Sequence, residues 1–158
     1  MDSNTSPNPF LARNAIDDPE RFFGRKMEIQ QLYDNINSGG ESGSPQCVSV
    51  VGERRIGKSS LLHYVAHPDI RKEHVDSALN CAFVQVDFSI LGVNKEDITP
   101  KVFFQETLSS LEKELGLEFK VKPTYANFRS VVEELAEKYR ILILIDEFDL
   151  LIHNDNFE

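Results

Sequence analysis

Gly52-Glu53-Arg54-Arg55-Ile56-Gly57-Lys58-Ser59 decides how the rest of the chain is read. It fits the pattern G-x-x-x-x-G-K-[ST], the phosphate-binding P-loop. In a chain of 158 residues a chance match is roughly a one-in-a-few-hundred event, given ordinary residue frequencies. The flanks supply the context that the motif needs. Before it, Cys47-Val48-Ser49-Val50-Val51 is a short β-branched run that predicts a buried strand. After it, residues 59–66 predict a helix with Leu62, Val65 and Ala66 on one face. Strand, glycine loop and helix follow one another as a phosphate site requires. The bland alternative is a glycine turn carrying a surface lysine.

The residue types imply the chemistry. Gly52 and Gly57 allow a turn tight enough for several backbone N–H groups to face one phosphate. The helix that follows adds the positive end of its dipole. Lys58 is expected to reach the β- and γ-phosphates as a compact charge. Ser59 is expected to give its hydroxyl to Mg²⁺. Glu53, Arg54, Arg55 and Ile56 within the loop, and Ser60 just after it, complete the candidate nucleotide-contacting set.

A second stretch points the same way. Ile141-Leu142-Ile143-Leu144-Ile145-Asp146-Glu147 is an aliphatic run ending in two carboxylates. Such a run predicts a central parallel strand. Open α/β sheets bind ligands at the carboxyl ends of their strands. Asp146 is therefore a candidate for holding Mg²⁺, and Glu147 for orienting and deprotonating an attacking water. The competing reading is an acidic helix N-terminus after a strand.

Composition limits the alternatives. Hydrophobic residues make up 41% of the chain, enough for one globular domain. A net charge of −9 argues against nucleic-acid binding through a basic face. Positive charge collects only locally, at Arg54, Arg55 and Lys58, which suits a polyphosphate better than a duplex. No apolar stretch approaches the length of a membrane span, and residues 1–9 lack the pattern of a signal peptide. Cys47 and Cys81 fall in predicted buried strands, so free core thiols in a reducing cytoplasm are expected. His63, His67, His74 and His153 show no metal-ligand spacing.

Taken in order, residues 1–20 predict a disordered or irregular lead-in, with 1–8 disordered and 8–19 packing through Phe10, Leu11 and Ile16. Residues 21–158 read as the folded part. Ile29, Leu32, Tyr33 and Ile36 give helical spacing over 26–37, ending at Gly39-Gly40. Residues 41–45 are a Gly/Ser-rich loop, and a short helix is expected within 69–79. Residues 82–88 predict a second strand, with Asp87 near its end either capping the next loop or standing behind the phosphate site. Helices follow over 100–115 and 125–139, the latter with Phe128, Val131, Val132, Leu135 and Ala136 inward. Phe148 to Ile152 either extends the last strand or begins a helix.

The segment RFFGRKMEIQQL followed by VSVVGERRIGKSSLLHY resembles the AAA+/STAND group of P-loop ATPases. It is most similar to bacterial AAA-like and STAND-type members, and more distantly to archaeal and origin-recognition ATPases. The resemblance implies an α/β fold: a three-layer α/β/α P-loop NTPase core around a parallel sheet. It implies ATP and Mg²⁺ as cofactors, with Phe23, Gly24 and Arg25 beside the adenine; a hydrophobic staple with a helix cap accounts for the same letters. The family sheet order, five-one-four-three-two, puts a fourth strand between the P-loop strand and the Asp146 strand. The present residues supply the first three strands, so an N-terminal part of a longer protein is expected, with strands four and five and the helical lid elsewhere. The implied function is ATP binding and hydrolysis in a cytoplasmic, self-associating switch. Two alternatives stay open: an origin-recognition-like ATPase and a nucleotide-binding module with negligible turnover.

Overall fold

The computed structural model describes residues 15, 16, 18–39, 47–88, 98–152 and 155. The expected contacts of Phe10 and Leu11, the loop at 41–45 and His153 lie outside them. The chain forms two compact units, Met1–His74 and Val75–Glu158. Each is described by itself.

In the first unit a single 3-10 turn, Pro19–Arg21, is capped by Asp18, whose carboxylate accepts from the Glu20 N–H at 3.0 Å. Helix α1 spans Lys26–Ser38 and buries Ile29, Tyr33 and Ile36, one face at a period of 3.6 residues. It ends where the Gly39 N–H reaches the Asn35 carbonyl. Helix α2 spans Lys58–Ala66 and α3 spans Pro68–His74. Pro68 therefore opens α3, where its missing N–H costs nothing. The Tyr33 hydroxyl donates to the Val65 carbonyl at 2.7 Å and its ring stacks on His74. Asn37 donates to the His74 carbonyl at 2.9 Å, so α1 grips both following helices.

Two expectations are corrected here. The buried face of α2 is Leu61 and Val65, with Leu62 and Ala66 only half-buried. The two faces differ by one residue, or about 100° of rotation. A helix this short has too few apolar positions to decide between them before α1 docks. The predicted strand at 47–51 is not a strand. Val48 and Val51 are 48% and 85% exposed, and Cys47 is an exposed free thiol rather than a core one. A strand exists through its hydrogen-bonded neighbour, and no described segment pairs with this one.

In the second unit β1, Cys81–Asp87, and β2, Arg140–Asp146, run parallel and in register from Cys81 beside Arg140 to Asp87 beside Asp146. Cys81, expected in the core, is the half-buried first residue of β1. Asn80 fixes the start of the pair. Its carbonyl accepts from the Arg140 N–H at 2.7 Å, and its side chain donates to the Lys138 carbonyl. Ala82, Val84 and Val86 are buried with Phe88, Ile98, Leu111 and Leu135. Ala82, Phe83, Val84 and Val86 of β1 are buried, whereas Gln85 is exposed and both end residues are half-buried, so one face of the strand is covered and the other only in part.

Helix α4, Pro100–Leu115, packs along β1. Thr99 caps its start, and Gly116, at φ +64, turns the chain out of its end. Two α4 side chains bond β1 directly. Glu114 accepts from the Phe83 N–H at 3.2 Å, and Ser110 accepts from the Gln85 N–H at 3.1 Å. Helix α5 spans Tyr125–Ala136, three residues shorter than its apolar periodicity suggested, and leaves Ala136 exposed. Its last carbonyl-directed bonds, from Lys138 and Tyr139 to Leu135, already steer the chain into β2. The four-residue helix α6, Asp149–Ile152, follows β2. The result is a mixed α/β chain whose described residues contain one two-stranded parallel sheet; no third strand joins it among them.

Candidate functional site

The loop at 52–57 is built by its two ends. At Gly52 an added Cβ would lie 3.0 Å from the Ile56 Cγ2, so the loop closes onto a residue with no side chain. The Ile56 N–H turns back to the Glu53 carbonyl at 3.4 Å. Arg55 has φ +67 and Gly57 φ +88, left-handed positions two residues apart. Backbone of this kind turns neighbouring N–H groups toward a common side and makes concavities that favour anions. Gly57 is also the N-cap of α2, and its carbonyl accepts from the Leu61 N–H at 3.0 Å. A β-substituted residue at that φ would carry steric strain.

Lys58, the first residue of α2, folds over the loop. Its Nζ donates to the Gly52 and Glu53 carbonyls, both at 3.1 Å. Glu53, Arg54 and Arg55 are exposed, and Ile56 is half in solvent. Ser59 is half-buried in the first turn of α2. Ser60 is buried, and its hydroxyl accepts from the Ile16 N–H at 3.0 Å. That bond, made by the Ile16 backbone, ties the lead-in to the loop helix.

The Phe23-Gly24-Arg25 segment lies in the same unit. Phe23 is 85% exposed and Gly24 has φ +87. Arg25, the N-cap of α1, sits at φ 52 and ψ 29, and its side chain makes no capping bond to its own helix. Its guanidinium instead donates to the Ile56 carbonyl. This link is not legible in the sequence, because no local pattern joins positions 31 apart.

The second unit carries the acid pair. Asp146 ends β2, and its carboxylate accepts from the Glu147 N–H at 3.0 Å. Glu147 is exposed at φ +55, and its carbonyl accepts from the Leu150 N–H, so it turns the strand into α6. The parallel register sets Asp87 directly beside Asp146. Among the described residues no cluster of three or more His, Cys, Asp or Glu could cage a metal ion. A hydroxyl at Ser59 and a carboxylate at Asp146 are hard oxygen donors. Each by itself is a donor type that Mg²⁺ accepts.

Comparison with known families gives the class first: the chain matches the model of a family of STAND-type NTPases. It belongs to the nSTAND1 family, described as novel STAND NTPase 1, whose sequence profile matches residues 7–156. No curated protein and no solved structure matches it. Among the described residues no helix is long and apolar enough to cross a membrane.

Proposed function

We propose that this chain is the ATP-binding and hydrolysing part of a STAND-type switch, with residues 21–158 contributing to one three-layer P-loop domain. The observation that carries the reading is the loop itself. Its sequence pattern coincides with a left-handed Gly57 that opens α2 and a Lys58 ammonium lying across the loop mouth. Membership of an NTPase family supports it.

In this reading the N–H groups of residues 52–57 and the α2 N-terminus take the phosphates. Lys58 exchanges the Gly52 and Glu53 carbonyls for phosphate oxygens. Ser59 and Asp146 hold Mg²⁺, which supplies charge neutralisation on the phosphate oxygens. Glu147 orients a water for attack and accepts its proton. Nucleotide state then sets self-association or the release of an effector in the cytoplasm.

The test is calorimetric titration of Mg²⁺-ATP with phosphate release followed in the same samples. Lys58→Ala is expected to weaken binding about a hundredfold, the loss of a charged hydrogen-bonding partner. Glu147→Gln is expected to keep binding and lower turnover by about 10²–10⁴. A chain that melts cooperatively yet binds no nucleotide rejects the reading.

A further inference from the structure

We propose that Arg25 is a positioning residue for the phosphate loop: by holding the Ile56 carbonyl it fixes the direction of the Gly57 N–H. The proposal rests on the nucleotide-binding reading above and assigns to Arg25 a task different from contact with the base.

The Ile56–Gly57 peptide is trans, since the described residues contain no cis bond. In a trans peptide the carbonyl and the following N–H point to opposite sides of one plane. Whatever anchors the Ile56 carbonyl therefore also aims the Gly57 N–H. This plane is easy to turn over, because reversing it requires changes at ψ of Ile56 and φ of Gly57, and glycine accepts either sign of φ. The loop's own bonds to this region run from Ile56 N–H to Glu53 and from Lys58 to Gly52 and Glu53. None of these grips the Ile56 carbonyl. Arg25 does so, from outside the loop and from the start of another helix.

Two features of Arg25 agree with this task. Its side chain makes no capping bond to α1, although the N-cap position favours side chains that do. It also occupies the left-handed region at φ 52, where an L-residue is disfavoured. A side chain kept at a strained position, and directed away from its own helix, points to a use elsewhere.

The experiment uses the native chain, Arg25→Met, Arg25→Gln, Arg25→Lys and Lys58→Ala. Mg²⁺-ATP and inorganic tripolyphosphate, which has no base or ribose, are titrated separately. The Gly57 amide resonance is recorded before any ligand is added. Arg25→Met is expected to weaken both ligands by a similar factor, about tenfold for one charged hydrogen bond at an exposed position. It is also expected to move the ligand-free Gly57 resonance. Arg25→Lys, which keeps a charged donor, restores part of both effects. Arg25→Gln stands in if the methionine variant does not melt cooperatively.

Weaker ATP with unchanged tripolyphosphate binding would place Arg25 on the base and overturn the proposal. Weaker binding of both with an unmoved Gly57 resonance would make Arg25 a direct phosphate ligand and overturn it equally. A native chain that binds neither ligand, or a Lys58→Ala chain that binds as the native does, rejects the nucleotide reading instead. The ligand-free resonance still decides the Arg25–Ile56 link in that case.

Discussion

Single residues carry the conformations that matter most in the loop unit and least of what the sequence announces. The glycine–lysine spacing of 52–59 was legible, because its pattern is local. The left-handed backbones of Arg25, Arg55 and Glu147 were not. An L-residue enters that region when surrounding contacts impose it, and those contacts are non-local. Tyr33 gives a cleaner residue-scale prediction. Its buried hydroxyl donates to the Val65 carbonyl, so Tyr33→Phe is expected to cost about 1 kcal/mol in urea unfolding. Burial first, and the neighbouring Tyr64 second, push the Tyr33 phenol above its ordinary range, partly offset by Arg71. The folded state thus favours the protonated phenol. Its contribution to stability is full below the ordinary value of about pH 10 and declines as pH rises above that. Urea midpoints measured on either side of that value are expected to fall for the native chain and to fall less for Tyr33→Phe.

Elements were legible where their ends are written in side chains. The bounds of α4 follow from Thr99-Pro100 and Leu115-Gly116, a cap with a proline and a terminating glycine. Both ends are testable by thermal melting. Thr99→Ala is expected to cost about 1 kcal/mol and Thr99→Ser to restore it. A Cβ at Gly116 would meet nothing within 4 Å. Gly116→Ala therefore measures the left-handed penalty alone, also about 1 kcal/mol. The segment 47–51 failed as a strand for the converse reason. Its β-branched letters state a preference, but a ladder needs a neighbour that local sequence cannot supply. The α2 face was misread by one position, with Leu61 buried where Leu62 was expected, while Val65 is buried as expected.

For the molecule as a whole, the aliphatic run before Asp146 announced a parallel strand and the family sheet order its place beside residues 82–88; the sheet's third member was not found among the described residues. Under the proposed function, Mg²⁺-ATP at about a hundred times Kd is expected to add about 2.7 kcal/mol of stability in a melting assay. Lys58→Ala, at the same ligand concentration, is expected to cut that gain to about 0.4 kcal/mol. The two side chains that α4 sends to β1 have a wider effect. Glu114 and Ser110 occupy the Phe83 and Gln85 N–H groups that a further strand beside β1 would need. The sheet is stitched shut along that border. Sheets with unprotected borders recruit strands from other chains, so the Ser110→Ala, Glu114→Ala pair is expected to raise concentration-dependent association in sedimentation. In the native chain, growth of the sheet is one-way: any strand that joins it must arrive alongside β2, next to the Asp146 carboxylate, and it brings its own side chains to that acid.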